Sequence, residues 1–244
     1  MQPPYHRLEE FVPLTQHELT IARGWLSDRR QLARGHCIRR EGDPVHGVFF
    51  LLEGWVGSSL ILRGGKRQIA KIHLPGDMLG FPSLSLSKAV ETLEAVTDIT
   101  FCTIPNLMIG RMFENAPRLS VAMFLSSQLE RVALMQNLSW VGAASAMERV
   151  TTFLLDLHDR LQAAHLVKDA GFDFPLTQVQ VGELLGLTPV HVNRTFRRLD
   201  ETGYIERERG HMIIKDAASL RRLTAGFVPD KAGHAAWDRL GQPS

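Results

Sequence analysis

The feature that most restricts what this chain can fold into is a change of rhythm near residue 105. Between residues 35 and 104, short apolar runs are punctuated by Gly35, Gly42, Gly47, Gly54, Gly64, Gly65, Gly76 and Gly80. Val48 to Leu52, Val56 to Leu62, Gln68 to Leu74 and Ile99 to Ile104 have strand length and β-branched or aromatic content. Glycines supply positive φ at corners, and the Gly64-Gly65 pair between Leu62 and Gln68 is a hairpin signal. A small antiparallel β barrel or roll is expected, with an interior that is either packed solid or holds a ligand.

From about Asn106 to His165 the period becomes helical. Leu119, Ala122, Ser126, Leu129, Ala133, Gln136 and Trp140 recur at separations of three and four, which keeps them on one stripe of a long helix. Small residues at Ala122, Ser126 and Ala133 allow a second copy of the helix to approach, so Leu119, Ala122, Ser126, Leu129 and Ala133 are the expected dimerisation residues. A second stripe, Val121, Leu125, Val132 and Met135, is expected to face the β unit. The other reading buries both stripes inside a monomer. Asn137, Leu138 and Ser139 weaken the helix signal, and a further helical run from about Gly142 to Gln162 carries Val150, Phe153, Leu154, Leu157 and Leu161 on one face.

Residues 176–200 read LTQVQVGELLGLTPVHVNRTFRRLD. Thr177 can cap a helix buried through Val179, Val181, Leu184 and Leu185, and Gly186 ends it. Thr188 caps a second helix with Pro189 at its first position, and Val192, Phe196 and Leu199 point inward. Two short helices across a tight glycine turn are the layout of a helix-turn-helix, whose second helix enters the major groove. Its outward set is Pro189, Val190, Asn193, Arg194 and Arg197, with Arg198 toward a flank. Asn can pair bidentately with adenine, Arg with guanine, and Val190 can meet a thymine methyl. Two short runs, Tyr204 to Glu208 and His211 to Lys215, turn at Arg209 and Gly210 like a β-hairpin wing, with Arg207, Arg209 and Lys215 placed for phosphates. Asp216 is expected to cap a last helix, Ala217 to Thr224, ahead of a loosely held end from Val228.

Composition adds limits rather than a function. Lys plus Arg is 28 against 26 for Asp plus Glu, a formal charge of +2, so any contact with a polyanion must rest on a local patch. Residues 191–222 supply one, with eight Arg or Lys against five Asp or Glu. Cys37 and Cys102 are too few for a disulfide framework or a four-thiolate cluster. No secretory signal and no apolar run of membrane-spanning length is present, and a cytoplasmic protein is expected.

At these residues the chain resembles the Crp/Fnr superfamily of transcription factors, over roughly residues 20–225. GDPVHGVFFLLEGWV at 42–56, LPGDMLG at 74–80 and LTQVQVGELLGLTPVHVNRTFRRLDETGYI at 176–205 carry the likeness. The resemblance implies an α+β architecture: an N-terminal cyclic nucleotide-binding-like roll at 1–115, a dimerisation helix and hinge at 116–138, a winged helix-turn-helix at 139–225 and a tail at 226–244. It also implies a homodimer on palindromic double-stranded DNA that recruits or obstructs RNA polymerase. Thr188, Pro189, Val190, Asn193, Arg194, Arg197, Arg198 and Arg209 become the DNA-binding set. Fumarate–nitrate-type members carry Glu, Ser and Arg where this chain has Val190, Asn193 and Arg194, so only part of their half-site should be shared.

Cyclic-AMP binders of the family hold the cyclic phosphate with Gly-Glu and Arg-Ser or Arg-Thr pairs. The corresponding places here read Gly80-Phe81 and Ala89-Val90, and no Arg occurs between Gln68 and Gly110. Cyclic AMP is therefore not expected as the signal, because a buried phosphate without a partner costs several kcal/mol. Gly80, Phe81, Leu84 and Lys88 are the candidate pocket for some other small molecule; alternatively, Phe81 and Leu84 fill it. An iron–sulfur cluster lacks its cysteine group, nothing singles out His36, His46 or His73 as a haem ligand, and no cofactor or metal is expected. No His-x-Glu, Gly-x-Ser-x-Gly or phosphate-loop arrangement marks an enzyme. The rival function is an effector-binding module acting through protein contacts without reading DNA.

Overall fold

The structure, a computed structural model, describes residues 4–140 and 143–224. It divides into two compact units, one built from residues up to Leu60 and from Ile72–Ala133, the other from Ile61–Lys71 and the described residues from Leu134 onward.

Two short helices that the sequence reading did not foresee open the first unit, α1 (His6–Glu9) and α2 (Gln16–Gly24). Thr15 starts α2 with a capping box, its hydroxyl accepting from Glu18 N while the Glu18 carboxylate accepts from Thr15 N. The strands are β1 (Arg29–Leu32), β2 (Cys37–Arg39), β3 (Gly47–Glu53), β4 (Val56–Ile61), β5 (Arg67–His73), β6 (Met78–Leu79), β7 (Thr92–Ala95) and β8 (Ile99–Pro105). They form two four-stranded sheets, in the orders β1-β8-β3-β6 and β2-β7-β4-β5. The four longer strands lie within a residue or two of the expected runs, and the hairpin turn falls at Gly64-Gly65 as its sequence requires.

β3 is covered on both faces, which is why it reads as an unbroken apolar run rather than an alternation. Val48, Phe50 and Leu52 point into a core shared with Leu8, Trp25, Ile109, Met112 and Leu119, where the Trp25 ring meets Phe50 edge-on at 5.6 Å. Leu51, from the opposite face, joins Val56, Leu79, Leu93, Ala95, Ile99 and Phe101 inside the roll.

After β8 come α3 (Asn106–Asn115) and the long α4 (Pro117–Trp140). Glu18 binds the start of α4: its Oε1 accepts from Arg118 N at 2.8 Å and Leu119 N at 3.3 Å. This changes the reading of the helical stripe. Leu119 and Ala122 are fully buried within the protomer and Ser126 nearly so, because α1, α2 and β3 cover that side. Leu129 is half-buried against the same core and Ala133 is exposed. Of the stripe expected to face the roll, Val121 and Leu125 do pack there, whereas Val132 and Met135 are exposed. Among the described side chains of α4, the large apolar ones left in solvent are Phe124, Val132, Leu134, Met135 and Leu138.

The second unit holds α5 (Ala146–Ala163), β9 (Gly171–Asp173), α6 (Gln178–Leu185), α7 (Pro189–Glu201), β10 (Ile205–Glu208), β11 (His211–Ile214) and α8 (Ala217–Arg222). α4 continues through the expected weak point at Asn137 to Ser139, and α5 begins at Ala146 behind a Ser145–Glu148 capping box rather than at Gly142, which lies outside the described residues. Val150, Leu154, Leu157 and Leu161 form its buried face. Phe172 and Phe174 connect that face to α7, the Phe174 ring lying 6.0 Å from Phe196. The wing is three-stranded, in the order β10-β11-β9. The expected loose tail at 226–244 also lies outside the described residues.

Candidate functional site

α6 and α7 meet at a turn that has little room. Thr177 caps α6 through Gln180, and Gly186 closes it in the left-handed conformation, φ 66°. Gly182, inside α6, makes the close approach possible: a Cβ there would lie 2.6 Å from the Leu187 carbonyl oxygen, and Leu187 N donates to Gly182 O at 3.0 Å. Thr188 then accepts from His191 N, and Pro189 occupies the first position of α7.

α7 is sharply two-sided. Val192, Thr195, Phe196 and Leu199 are buried, while Thr188, Pro189, Val190, Asn193, Arg194, Arg197 and Arg198 are exposed, Val190 by 75%. Arg197 Nε donates to Glu201 Oε1 at 2.8 Å, an i,i+4 pair in open solvent that does little to hold the guanidinium back. Val179 of α6, expected inside, is 52% exposed, since the approach at Gly182 leaves only Val181 and Gly182 of that helix fully covered.

The wing sorts its cations. Arg207 is turned toward α7, with its Nε 2.9 Å from Asp200 Oδ2 and its guanidinium 4.8 Å above the Phe196 ring. Lys215 pairs with Glu206 at 2.6 Å. Arg209 alone of the three stands at the tip, exposed, with φ 45° beside Gly210 at φ 83°. Positive φ at both central residues is the signature of a type I′ turn, where Asn, Asp or Gly is the usual first residue. An arginine there carries strain of about 1 kcal/mol or more.

Inside the roll, the four candidate pocket residues have different neighbours. Gly80 has φ 85° and packs against the Arg39 guanidinium, so that a Cβ would lie 2.9 Å from Nη2. Phe81 and Leu84 pack against the helical core, and Lys88 is exposed beside Pro44. Gly80 instead adjoins a buried ion pair, Arg39 and Glu91, 3.3 Å apart; a second, Arg7 with Asp77, lies at 3.2 Å just before β6. Burial pushes the Glu91 carboxyl above its ordinary range, against the pull of Arg39 and with a further push from Glu130 of α4. Burial likewise lowers Arg39, against Glu91 and Asp43. Arg39 lies on β2, upstream of the stretch after Gln68 where the family's phosphate ligand would fall, and no local signal in the sequence marks it.

Residues 29–116 match the model of the cyclic nucleotide-binding domain, and residues 148–223 match that of the Crp-like helix-turn-helix domain. The chain belongs to the Crp/Fnr superfamily of transcriptional regulators. Among curated relatives of this Crp/Fnr regulator, the transcriptional activator protein FnrA of Stutzerimonas stutzeri is 29% identical over 82% of this chain and 81% of its own. The nitrogen fixation regulation protein FixK of Bradyrhizobium diazoefficiens is 29% identical over 82% and 83%. Among solved structures, FixK2 from Bradyrhizobium japonicum superposes with a TM-score of 0.74 at 24% identity, covering 82% of this chain and 98% of that one. The c-di-GMP responsive global regulator CLP of Xanthomonas campestris gives 0.65 at 15% identity, covering 81% and 99%. Among the described residues no group of three or more His, Cys, Asp or Glu could hold a metal ion. No helix among them is long and apolar enough to cross a membrane.

Proposed function

We propose that this regulator binds duplex DNA as a homodimer and places α7 of each protomer in successive major grooves. Asn193, Arg194 and Arg197 meet base edges, Val190 meets a thymine methyl, and Thr188 and Pro189 bring the helix start to the groove wall. Arg198 and Arg209 reach phosphates, which fix the register without specifying sequence. The observation that carries this reading is the division of α7, where Val192, Thr195, Phe196 and Leu199 are buried while Val190, Asn193, Arg194 and Arg197 are left in solvent. The strained arginine at the wing tip supports it, since backbone strain is tolerated where a side chain has work to do.

A second copy is the partner best matched to the apolar side chains exposed along α4, chiefly Phe124, Val132, Leu134, Met135 and Leu138, with Leu129 and Ala133 beside them. Leu119, Ala122 and Ser126 support the seam from within the protomer. RNA polymerase is the further partner, through recruitment or obstruction at promoters; the name of the FnrA relative, a transcriptional activator, favours recruitment. Cyclic AMP is not the signal on this reading. Phe81 and Val90 stand where a cyclic-AMP binder has Glu and Ser or Thr, and Arg39 is already paired with Glu91.

Selection of preferred duplexes from a random library by the purified protein tests the proposal. A two-fold site with half-site centres about 34–36 Å apart is expected. Neutralising Arg194 and Arg197 should abolish the salt-sensitive complex, and unchanged duplex affinity in that variant would overturn the reading.

A further inference from the structure

The roll contains a pair of buried charges that DNA reading does not use. The Arg39 and Glu91 side chains are 5% and 9% exposed and 3.3 Å apart. Arg39 also donates to Gly47 O at 3.3 Å and Gly80 O at 3.4 Å, its guanidinium lies 5.6 Å from the centre of the Phe49 ring, and its Nε has no partner. Glu91 receives a second contact from the Ser83 hydroxyl at 3.5 Å, and the same hydroxyl accepts from Val90 N at 3.1 Å.

Every contact made by these two charges is at the long end of the hydrogen-bond range. A buried ion pair repays its desolvation only with good geometry, so this one adds little to stability compared with an apolar pair of the same volume. Its distinctive property is its position. Arg39 joins β2, the first residue of β3, the left-handed Gly80 and the residue that ends the 80–91 loop. That loop is also fastened to residues 42–45 by Gly42 N to Ala89 O and Ala89 N to Asp43 O, both 2.8 Å, and by Val45 N to Ser87 O at 3.2 Å. The pair is the only charged tie among these fastenings on the described residues, and it is made from the inside.

We propose that Glu91 is a tethered anion: its carboxylate takes the place of a small acidic ligand against Arg39 and keeps the 80–91 loop closed over the roll without any diffusible effector. Removing the Glu91 side chain beyond Cβ leaves a site of defined chemistry, a guanidinium facing a space the size of a two-carbon carboxylate. The wild-type roll is thus self-liganded, and the same roll without Glu91 becomes a receptor for a free monocarboxylate. This rests on the reading of the roll as the regulatory half, and not on how α7 meets DNA.

The test compares the thermal transition and the amide-exchange protection of residues 83–90 in the full chain, with acetate as the probe and sodium chloride at equal ionic strength as the control. In the wild type, neither acetate nor cyclic AMP should move either signal. Glu91→Ala should lower Tm by about 10 °C and strip protection from the loop, because a buried charge has lost its partner. Acetate, and not chloride, should restore at least half of both. Glu91→Gln should lower Tm as well, with no recovery in acetate, because the amide still fills the space. A Glu91→Gln variant within about 2 °C of the wild type overturns the proposal, and so does a folded Glu91→Ala variant indifferent to acetate or a wild type stabilised by cyclic AMP. Should Glu91→Ala prove insoluble, Glu91→Gln decides alone. Wild-type duplex affinity is measured separately, so failure of the DNA reading and failure of the tethered anion give different results.

Discussion

Gly182→Ala sets two physical arguments against each other. By helix propensity alone, replacing a glycine inside α6 should stabilise the protein by roughly 0.8–1 kcal/mol. The geometry argues the reverse, since the new Cβ would lie 2.6 Å from the Leu187 carbonyl oxygen, inside any real contact distance. That oxygen belongs to the backbone between two helices and cannot rotate away. Relief needs a separation larger by about 0.6 Å or more, in a turn that Leu187 N and Gly182 O hold at 3.0 Å. Overpacking of this kind costs about 1–3 kcal/mol and losing the turn's hydrogen bond about 1 more, so the net destabilisation is about 1–3 kcal/mol. α7 is 13 residues long, about 20 Å at 1.5 Å per residue, so a shift at its first turn is carried along the whole reading face. Urea unfolding followed by far-ultraviolet circular dichroism measures the stability, and fluorescence anisotropy with a selected duplex measures the affinity, which should fall at least about tenfold, the equivalent of 1.4 kcal/mol. A Gly182→Ala variant as stable as the wild type, or more so, would refute the claim that the close approach to Leu187 requires a glycine here.

Three further outcomes are expected. Glu18→Ala orphans Arg118 N and Leu119 N as well as breaking the capping box, and should cost about 3 kcal/mol in urea unfolding, whereas Thr15→Ala, which leaves the α4 contacts in place, should cost about 1. Arg209→Gly relieves the left-handed backbone at the wing tip, so it should raise wing stability by a few tenths to about 1 kcal/mol while weakening duplex binding evenly across sequences and reducing the salt slope by about 1. Asp216 is held below its ordinary value of 3.8, chiefly by the Ser219 hydroxyl and then by its backbone N–H, so its capping is fully present above that value and lost as pH falls through the depressed folded one. The Ser219 amide shift should follow that loss in a pH titration, and Asp216→Asn should remove the dependence.

Much of the fold was legible because its signals are local. Thr177, Gly186, Thr188 and Pro189 bracket α6 and α7 by capping chemistry that needs no tertiary partner, and all four do so in the structure. The same chemistry was present in Thr15-x-x-Glu18 and Ser145-x-x-Glu148, which mark the starts of α2 and α5 and were not used. Missing α1 and α2 then misplaced the helical stripe, because nothing local to Leu119 or Ala122 says which apolar partner will cover it. β9 at Gly171–Asp173 is three residues long, too short for periodicity to reveal, and is defined by its pairing to β11. The inward turn of Arg207 could not be read either, since its Asp200 partner lies seven residues earlier and faces it only once the wing is folded. Gly182 was visible as an oddity inside a helical pattern, which by itself indicates a close approach without naming what approaches.

Phe50 and Leu51 are neighbours in sequence but belong to different interiors, and β3 is the thin partition between them. Neither compartment can be refitted alone. A lineage that widens the roll to admit a bulkier cargo must move the same backbone that carries Phe50 against Trp25 and Tyr5, and with it the seat of α4. Substitutions inside the roll should therefore be inherited together with compensating changes among those aromatics.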